Sequence, residues 1–293
     1  MRKVACTIAL FIITAFPTTA PILWASSYTI EQITFDSYNH WETSINNNNE
    51  IVWLEFRNAG GTDRAIVSDQ RGTLVEGMTI QHPFLSNNGD LVWDQIVNDR
   101  KQVFLNGTQY TKAFVHHVDP SINSLGELVW WEWNGSGQEQ IFSNIRGQIT
   151  FGETTSHYDP NINDLGEILW GESSPSPYRI MSNEQGLIAA GPIYRNPSAN
   201  NDGQIIWSGQ DGDERSIFSN FAGKLDLGEG YQNDASINDA GVISYTQLVD
   251  GYYQVFRATP VDPIPEPATI LLVGIGLAGV AGIRRKMKSH RSA

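Results

Sequence analysis

A single cysteine, Cys6, is all that 293 residues contain. That excludes a disulfide framework and any thiolate metal centre. Its early position also excludes the lipid-modified cysteine of a lipoprotein. Positive charge is scarce: 19 Lys and Arg stand against 32 Asp and Glu, a formal charge of −13. The basic residues crowd the ends, at Arg2, Lys3, Arg284, Arg285, Lys286, Lys288 and Arg291, so the body between them is more acidic still. Such a surface repels phosphate backbones and argues against a nucleic-acid partner. It suits a divalent cation without identifying one. No phosphate loop, His-Glu-x-x-His or serine nucleophile elbow occurs.

Long apolar runs are confined to the termini. Arg2 and Lys3 precede a run from Val4 to Phe16. This order predicts a secretory signal peptide over residues 1–25, removed by signal peptidase near Ala25. At the other end, Pro265-Glu266-Pro267 precedes the apolar segment 268–283 and then Arg284 and Arg285. The segment is just short of a bilayer span. The basic cluster fits the positive-inside bias, and the prolines stop a helix at the outer boundary. Residues 264–288 resemble the PEP-CTERM sorting signal of exopolysaccharide-producing Gram-negative bacteria. The resemblance implies processing by an exosortase. The expected path is transient anchoring in the inner membrane by a transmembrane helix, then the cell surface or extracellular matrix.

Between the ends the chain repeats itself, with a period of about 38 residues. The aromatics Trp53, Trp93, Trp130, Trp170, Trp207 and Tyr245 form one column. Four residues before each stands Asn49, Gly89, Gly126, Gly166, Gly203 or Gly241; seven before stands Asn46, Ser86, Asn123, Asn163, Asn200 or Asn238. Each unit reads as four short strands. Strand A is Ser-Ile-Asn, followed by an Asn-x-x-Gly turn, an apolar strand B, a strand C of the type Gln-Ile-Phe-Ser-Asn, and a strand D after a Gly turn. Six such units predict an all-β, six-bladed β-propeller over residues 28–260. The segment Ile30–Asn46 resembles Arg146–Asn163 and supplies a strand D ahead of the first strand A. The last unit lacks one, so the N-terminal strand is expected to complete the last blade. The units resemble TolB-type propeller repeats, and more closely the Asn-x-x-Gly-x-Val repeats found with PEP-CTERM signals. That resemblance specifies architecture and leaves function open.

"HVDPSINSLGE" and "HYDPNINDLGE" are two copies of a segment placed at the D-to-A crossover. Four residues before the Asn column stand Glu42, His82, Asp119, Asp159, Asn196 and Asp234. Two residues earlier stand His40, His117, His157 and Tyr194. Asp-Pro and Asn-Pro initiate turns, which gives these residues a local structural role. In a closed propeller they would also ring one mouth, where His and Asp can hold a divalent cation or sugar hydroxyls. The Trp column is expected to pack blade on blade; the off-column Trp41, Trp131 and Trp133 are stacking candidates. Asp164, Gly166 and Trp170 evoke the sialidase Asp box, but the spacing is one residue too long, which reverses strand parity. Asp211, Asp213 and Glu214 lack calcium-loop spacing and read as a solvated loop. The expectation is a non-enzymatic, surface-sorted propeller that binds exopolysaccharide, a surface protein or a cation. The alternative is a glycosidase or lyase using carboxylates at one mouth.

Overall fold

The computed structural model describes residues 27–133, 137–152, 154–173 and 177–261. The predicted signal peptide and the sorting residues Pro265, Glu266, Pro267, Arg284 and Arg285, with the apolar segment between them, lie outside the described residues.

The described chain begins with β1 (Tyr28–Gln32). Blade 1 follows with β2 (Asn39–Ile45), β3 (Ile51–Phe56), β4 (Arg64–Ser68) and β5 (Gly72–Glu76). Blade 2 holds β6 (Gln81–Leu85), β7 (Leu91–Val97), β8 (Arg100–Leu105) and β9 (Thr108–Gln109). Blade 3 holds β10 (His116–Ile122), β11 (Leu128–Trp133), β12 (Gln140–Ser143) and β13 (Gly147–Gln148). Blade 4 holds β14 (His157–Ile162), β15 (Ile168–Glu172), β16 (Tyr178–Ser182) and β17 (Gly186–Gly191). Blade 5 holds β18 (Tyr194–Ala199), β19 (Ile205–Asp211), β20 (Glu214–Ser219) and β21 (Gly223–Lys224). Blade 6 holds β22 (Gln232–Ile237), β23 (Ile243–Val249) and β24 (Tyr252–Pro260), and β1 completes it.

Every blade is antiparallel, and the first strands β2, β6, β10, β14, β18 and β22 touch in a closed circuit around the axis. The expected six-bladed propeller is therefore present. The expected closure is present too: β1 pairs with β24 from Tyr28↔Pro260 to Gln32↔Phe256.

The core divides into six clusters, one per blade interface. Val52, Leu54 and Ile66 of blade 1 pack on Ile80, Leu85 and Trp93 of blade 2. Val129 and Ile141 of blade 3 pack on Ile162 and Trp170 of blade 4. The aromatic column faces the preceding blade each time, and all six rings are buried. It is a packing column, as its regularity implied.

The Asn-x-x-Gly turns do more than reverse the chain. Asn163 Oδ1 accepts the N–H of Leu165 and of Glu167, and its Nδ2 donates to the Asn200 carbonyl of the next blade at 3.1 Å. Asn123, Asn200 and Asn238 repeat this inter-blade bond. The Glu of the duplicated Gly-Glu is also structural: Glu127 and Glu167 accept Ser143 and Ser182 hydroxyls from strand C at 2.6 and 2.5 Å. Asn163→Ala is expected to lower stability by about 2–3 kcal/mol, because three bonds, two of them buried, go at once. Urea unfolding of the variant checks this; a loss under about 0.5 kcal/mol would show the column to be dispensable.

Candidate functional site

Glu42, His82, Asp119, Asp159, Asn196 and Asp234 do not sit in crossover turns. Each lies inside the first strand of its blade, at a φ between 50° and 58°. In every blade two residues of this strand oppose one of the second. Glu42 and Thr43 lie opposite Trp53, between the pairs Trp41↔Leu54 and Ser44↔Val52. Asp119 and Pro120 lie opposite Trp130 in the same way. This is a β-bulge repeated six times. Pro83, Pro120, Pro160 and Pro197 fill the following position, where a bulge leaves an N–H without a ladder partner. The turn-forming dipeptides thus serve as bulge formers within a strand.

The bulges aim all six side chains at the axis, where they line one cavity of about 370 Å³. Phe84, Asn161, Ser198 and Ser236 line both this cavity and a smaller one of about 40 Å³ beyond it. They therefore form its floor. Past that floor, a hydrogen-bonded ring runs around the axis. Asp164 accepts Ser124 N–H at 2.7 Å, Asn201 Oδ1 accepts Asp164 N–H at 2.9 Å, and Asp239 accepts Asn201 N–H at 2.8 Å. Asn47 and Asp239 bond to each other in both senses. The site is an axial cavity, set off from this ring by its floor.

The ring is stitched blade to blade. Asp234 Oδ2 accepts Glu42 N–H at 3.1 Å, Glu42 Oε2 accepts His82 N–H at 2.6 Å, and Asp159 Oδ2 accepts Asn196 N–H at 3.1 Å. Asn196 Nδ2 also donates to Asp234 Oδ1 at 2.7 Å. At the blade 2–3 junction the pattern changes. His82 Nδ1 is bonded to Asp94, whose side chain is fully buried, and Asp94 Oδ1 accepts Asp119 N–H at 3.0 Å.

Crowding makes the ring's electrostatics unusual. Burial alone would lower the His82 pKa, but Glu42, Asp94 and Asp119 outweigh it and hold the imidazole at about 10. Burial pushes Asp119 well above the carboxylate range, His82 pulls it back, and Asp159 beside it pushes it up again. Burial also raises Asp234, to about 6, with the charges of Glu42 and Asp159 adding to it against the Glu42 N–H. The funnel sets the N–H donors of His82 and Asn196 beside carboxyl oxygens.

His40, His117, His157 and Tyr194 do not line the funnel. The bulge breaks the alternation that would have put them on its face. His40, His117 and His157 are instead buried opposite Glu55, Glu132 and Glu172 on the second strand. Tyr194 packs on Trp207 and Phe218. Of the off-column tryptophans, Trp41 alone lines the cavity, with its ring 4.0 Å from that of Tyr253. Trp131 packs beside the blade 3–4 core, and Trp133 lies by His116. Asp211 of the acidic loop pairs with Lys224 at 2.8 Å at an exposed hairpin.

Two lining residues had no motif to mark them. Arg195 lies over Tyr158 and Tyr178, and Arg215 lies over Tyr231 with Nη1 3.1 Å from Asn233. Neither has a carboxylate within ion-pair distance among the described residues. The place of Arg195, next to the ring residue Asn196, was the one available hint.

The closed circuit of six four-stranded blades around an axial cavity defines a six-bladed β-propeller. Solved propellers resemble it at low identity. A candidate gluconolactonase is 11% identical over 81% of this chain and 93% of that one, with a TM-score of 0.54. The β-propeller domain of the trilobed protease from Pyrococcus furiosus is 10% identical, covering 76% and 84%, with a TM-score of 0.48. An oligogalacturonate lyase in complex with manganese is 12% identical, covering 80% and 97%, at 0.46. Likeness at this level shows the fold alone. No curated protein matches the chain in sequence. Residues 263–286 match the PEP-CTERM protein-sorting motif. The chain is thus an exported, exosortase-sorted propeller protein.

Proposed function

We propose that the protein is a surface or matrix binding propeller whose funnel takes up an acidic saccharide unit of the extracellular polysaccharide. The observation that carries this reading is the mixed lining of one axial cavity. Trp41 offers a stacking face. The ring supplies donors and acceptors for hydroxyls. Arg195 and Arg215 form no ion pair among the described residues of a strongly acidic body, and so suit a uronate carboxylate. The volume of about 370 Å³ falls within the range of small-ligand sites.

The test is calorimetry of the purified chain against uronic-acid and neutral oligosaccharides. Uronate binding is expected, weakened about tenfold by Trp41→Ala, a loss of about 1.4 kcal/mol. Arg195→Ala should weaken uronates and spare neutral sugars. No binding of any uronate at millimolar concentration, or equal affinity in both variants, overturns the reading. Analysis of the same mixtures for new reducing or unsaturated ends tests the glycan-cleaving alternative, in which Asp119 would be the acid.

A further inference from the structure

Three blades carry the same cross-strand pair with a buried histidine, His40–Glu55, His117–Glu132 and His157–Glu172. In blades 3 and 4 the Glu also accepts the column indole, Trp130 to Glu132 at 3.0 Å and Trp170 to Glu172 at 3.3 Å. Blade 1 departs from this pattern. Glu55 Oε1 is drawn to Arg57 Nε at 2.7 Å, and the Trp53 indole N–H is left without a partner. Oε2 is thereby turned to His40, and a second carboxylate joins it: Asp36, on the segment between β1 and β2.

His40 Nδ1 lies 2.9 Å from the Tyr253 carbonyl. A carbonyl only accepts, so Nδ1 carries a proton, and in the neutral ring Nε2 presents its lone pair. Nε2 is fully buried and has no hydrogen-bond partner. Asp36 Oδ1 and Glu55 Oε2 both stand 3.5 Å from it. The three ligand atoms lie within 4.8 Å of one another. Ligand atoms at bond lengths of about 2.0–2.1 Å around a tetrahedral ion are about 3.3–3.4 Å apart. The supporting contacts are those of a metal centre: a carbonyl fixes the His tautomer, Arg57 holds the far oxygen of Glu55, and Tyr38 N–H holds Asp36 at 2.8 Å.

We infer that Asp36, His40 and Glu55 bind one divalent transition-metal ion of the zinc type. Asp36 is half exposed, which leaves the fourth position open to water. The site is separate from the funnel and does not depend on what the funnel binds. It would tie the segment leading out of β1 to blade 1, and through the Tyr253 carbonyl to β24, so the ion would reinforce ring closure.

The full chain, stripped of metal, is titrated with Zn²⁺ and Ca²⁺ by calorimetry and with Co²⁺ by absorption. The expected result is one Zn²⁺ per chain, visible Co²⁺ bands of a nitrogen–oxygen site, a higher melting midpoint, and preference over Ca²⁺. Asp36→Asn changes an exposed loop carboxylate and keeps the fold; it should weaken Zn²⁺ at least tenfold. The double variant Asp119→Asn/Asp159→Asn should bind Zn²⁺ as the wild type does. Absence of stoichiometric binding overturns the inference. So does unchanged binding in Asp36→Asn, or binding lost only in the double variant.

Discussion

Deletion of residues 28–32 is expected to lower stability by at least about 5 kcal/mol and to make the protein self-associate. The deletion removes the five-residue ladder from β24, with the ion pair from Glu31 to Arg257 at 3.2 Å. Two further contacts hold the adjoining residues: Ile33 N–H donates to the Val255 carbonyl at 2.8 Å, and Thr34 Oγ1 accepts Val255 N–H at 2.9 Å. Both would be strained or lost. Each net hydrogen bond is worth about 1 kcal/mol. The larger consequence is that the nine-residue β24 becomes an open edge, a template for pairing with another chain. Thermal melts and light scattering measure both effects. A peptide of sequence YTIEQIT should restore part of the loss when added in excess. A deletion variant that melts with the wild type and stays monomeric would show that the remaining strands close the ring unaided.

The second large effect is expected at the His82–Asp94 pair. His82→Ala should cost about 3–5 kcal/mol near pH 6, because it strands a buried carboxylate. Lys101, 3.3 Å from Asp94, would be its remaining cation. The pair also sets a pH window. His82 is raised to about 10 in the folded protein, from about 6.5 unfolded. Its contribution is then full below the unfolded value and is lost as pH rises toward 10, at up to about 1.4 kcal/mol per pH unit. Asp94 moves the other way: burial raises its pKa, but His82 and Lys101 pull it below the ordinary carboxylate value. Its contribution is present at neutral pH and is lost in acid. Urea unfolding at pH 6, 8 and 10 should show a steeper decline in the wild type than in His82→Gln. Parallel curves would mean that His82 is neutral when folded.

The periodic part of this architecture was legible in the sequence because each unit restates it. Trp53 through Tyr245 keep one spacing from Asn46 through Asn238, and six repetitions outweigh the noise of any single unit. The absent last strand D was equally readable. The bulge was not. Asp-Pro is turn chemistry locally, and only register shows that Asp119 and Pro120 together face Trp130. Once the bulge is missed, parity puts His117 and Asp119 on the same face. The structure separates them, sending Asp119 to the funnel and His117 behind it. The signal was still present: four of the six positions are Asp or Asn, residues that tolerate positive φ, and four are followed by Pro. Asp36 and Glu55 were invisible for another reason. Asp36 lies on the segment joining β1 to β2, and Glu55 meets His40 only through the pairing of β2 with β3.

The blade built from both termini has a consequence in time. Tyr28 and Pro260 are partners across almost the whole described chain. Five blades can form as the chain arrives, but the sixth waits for the last strand. Contacts of such sequence separation are slow to form. The sorting motif begins at residue 263, directly after that strand. The ring can therefore close only when the segment read for sorting is close behind. Completion of the fold and arrival of the address are nearly one event.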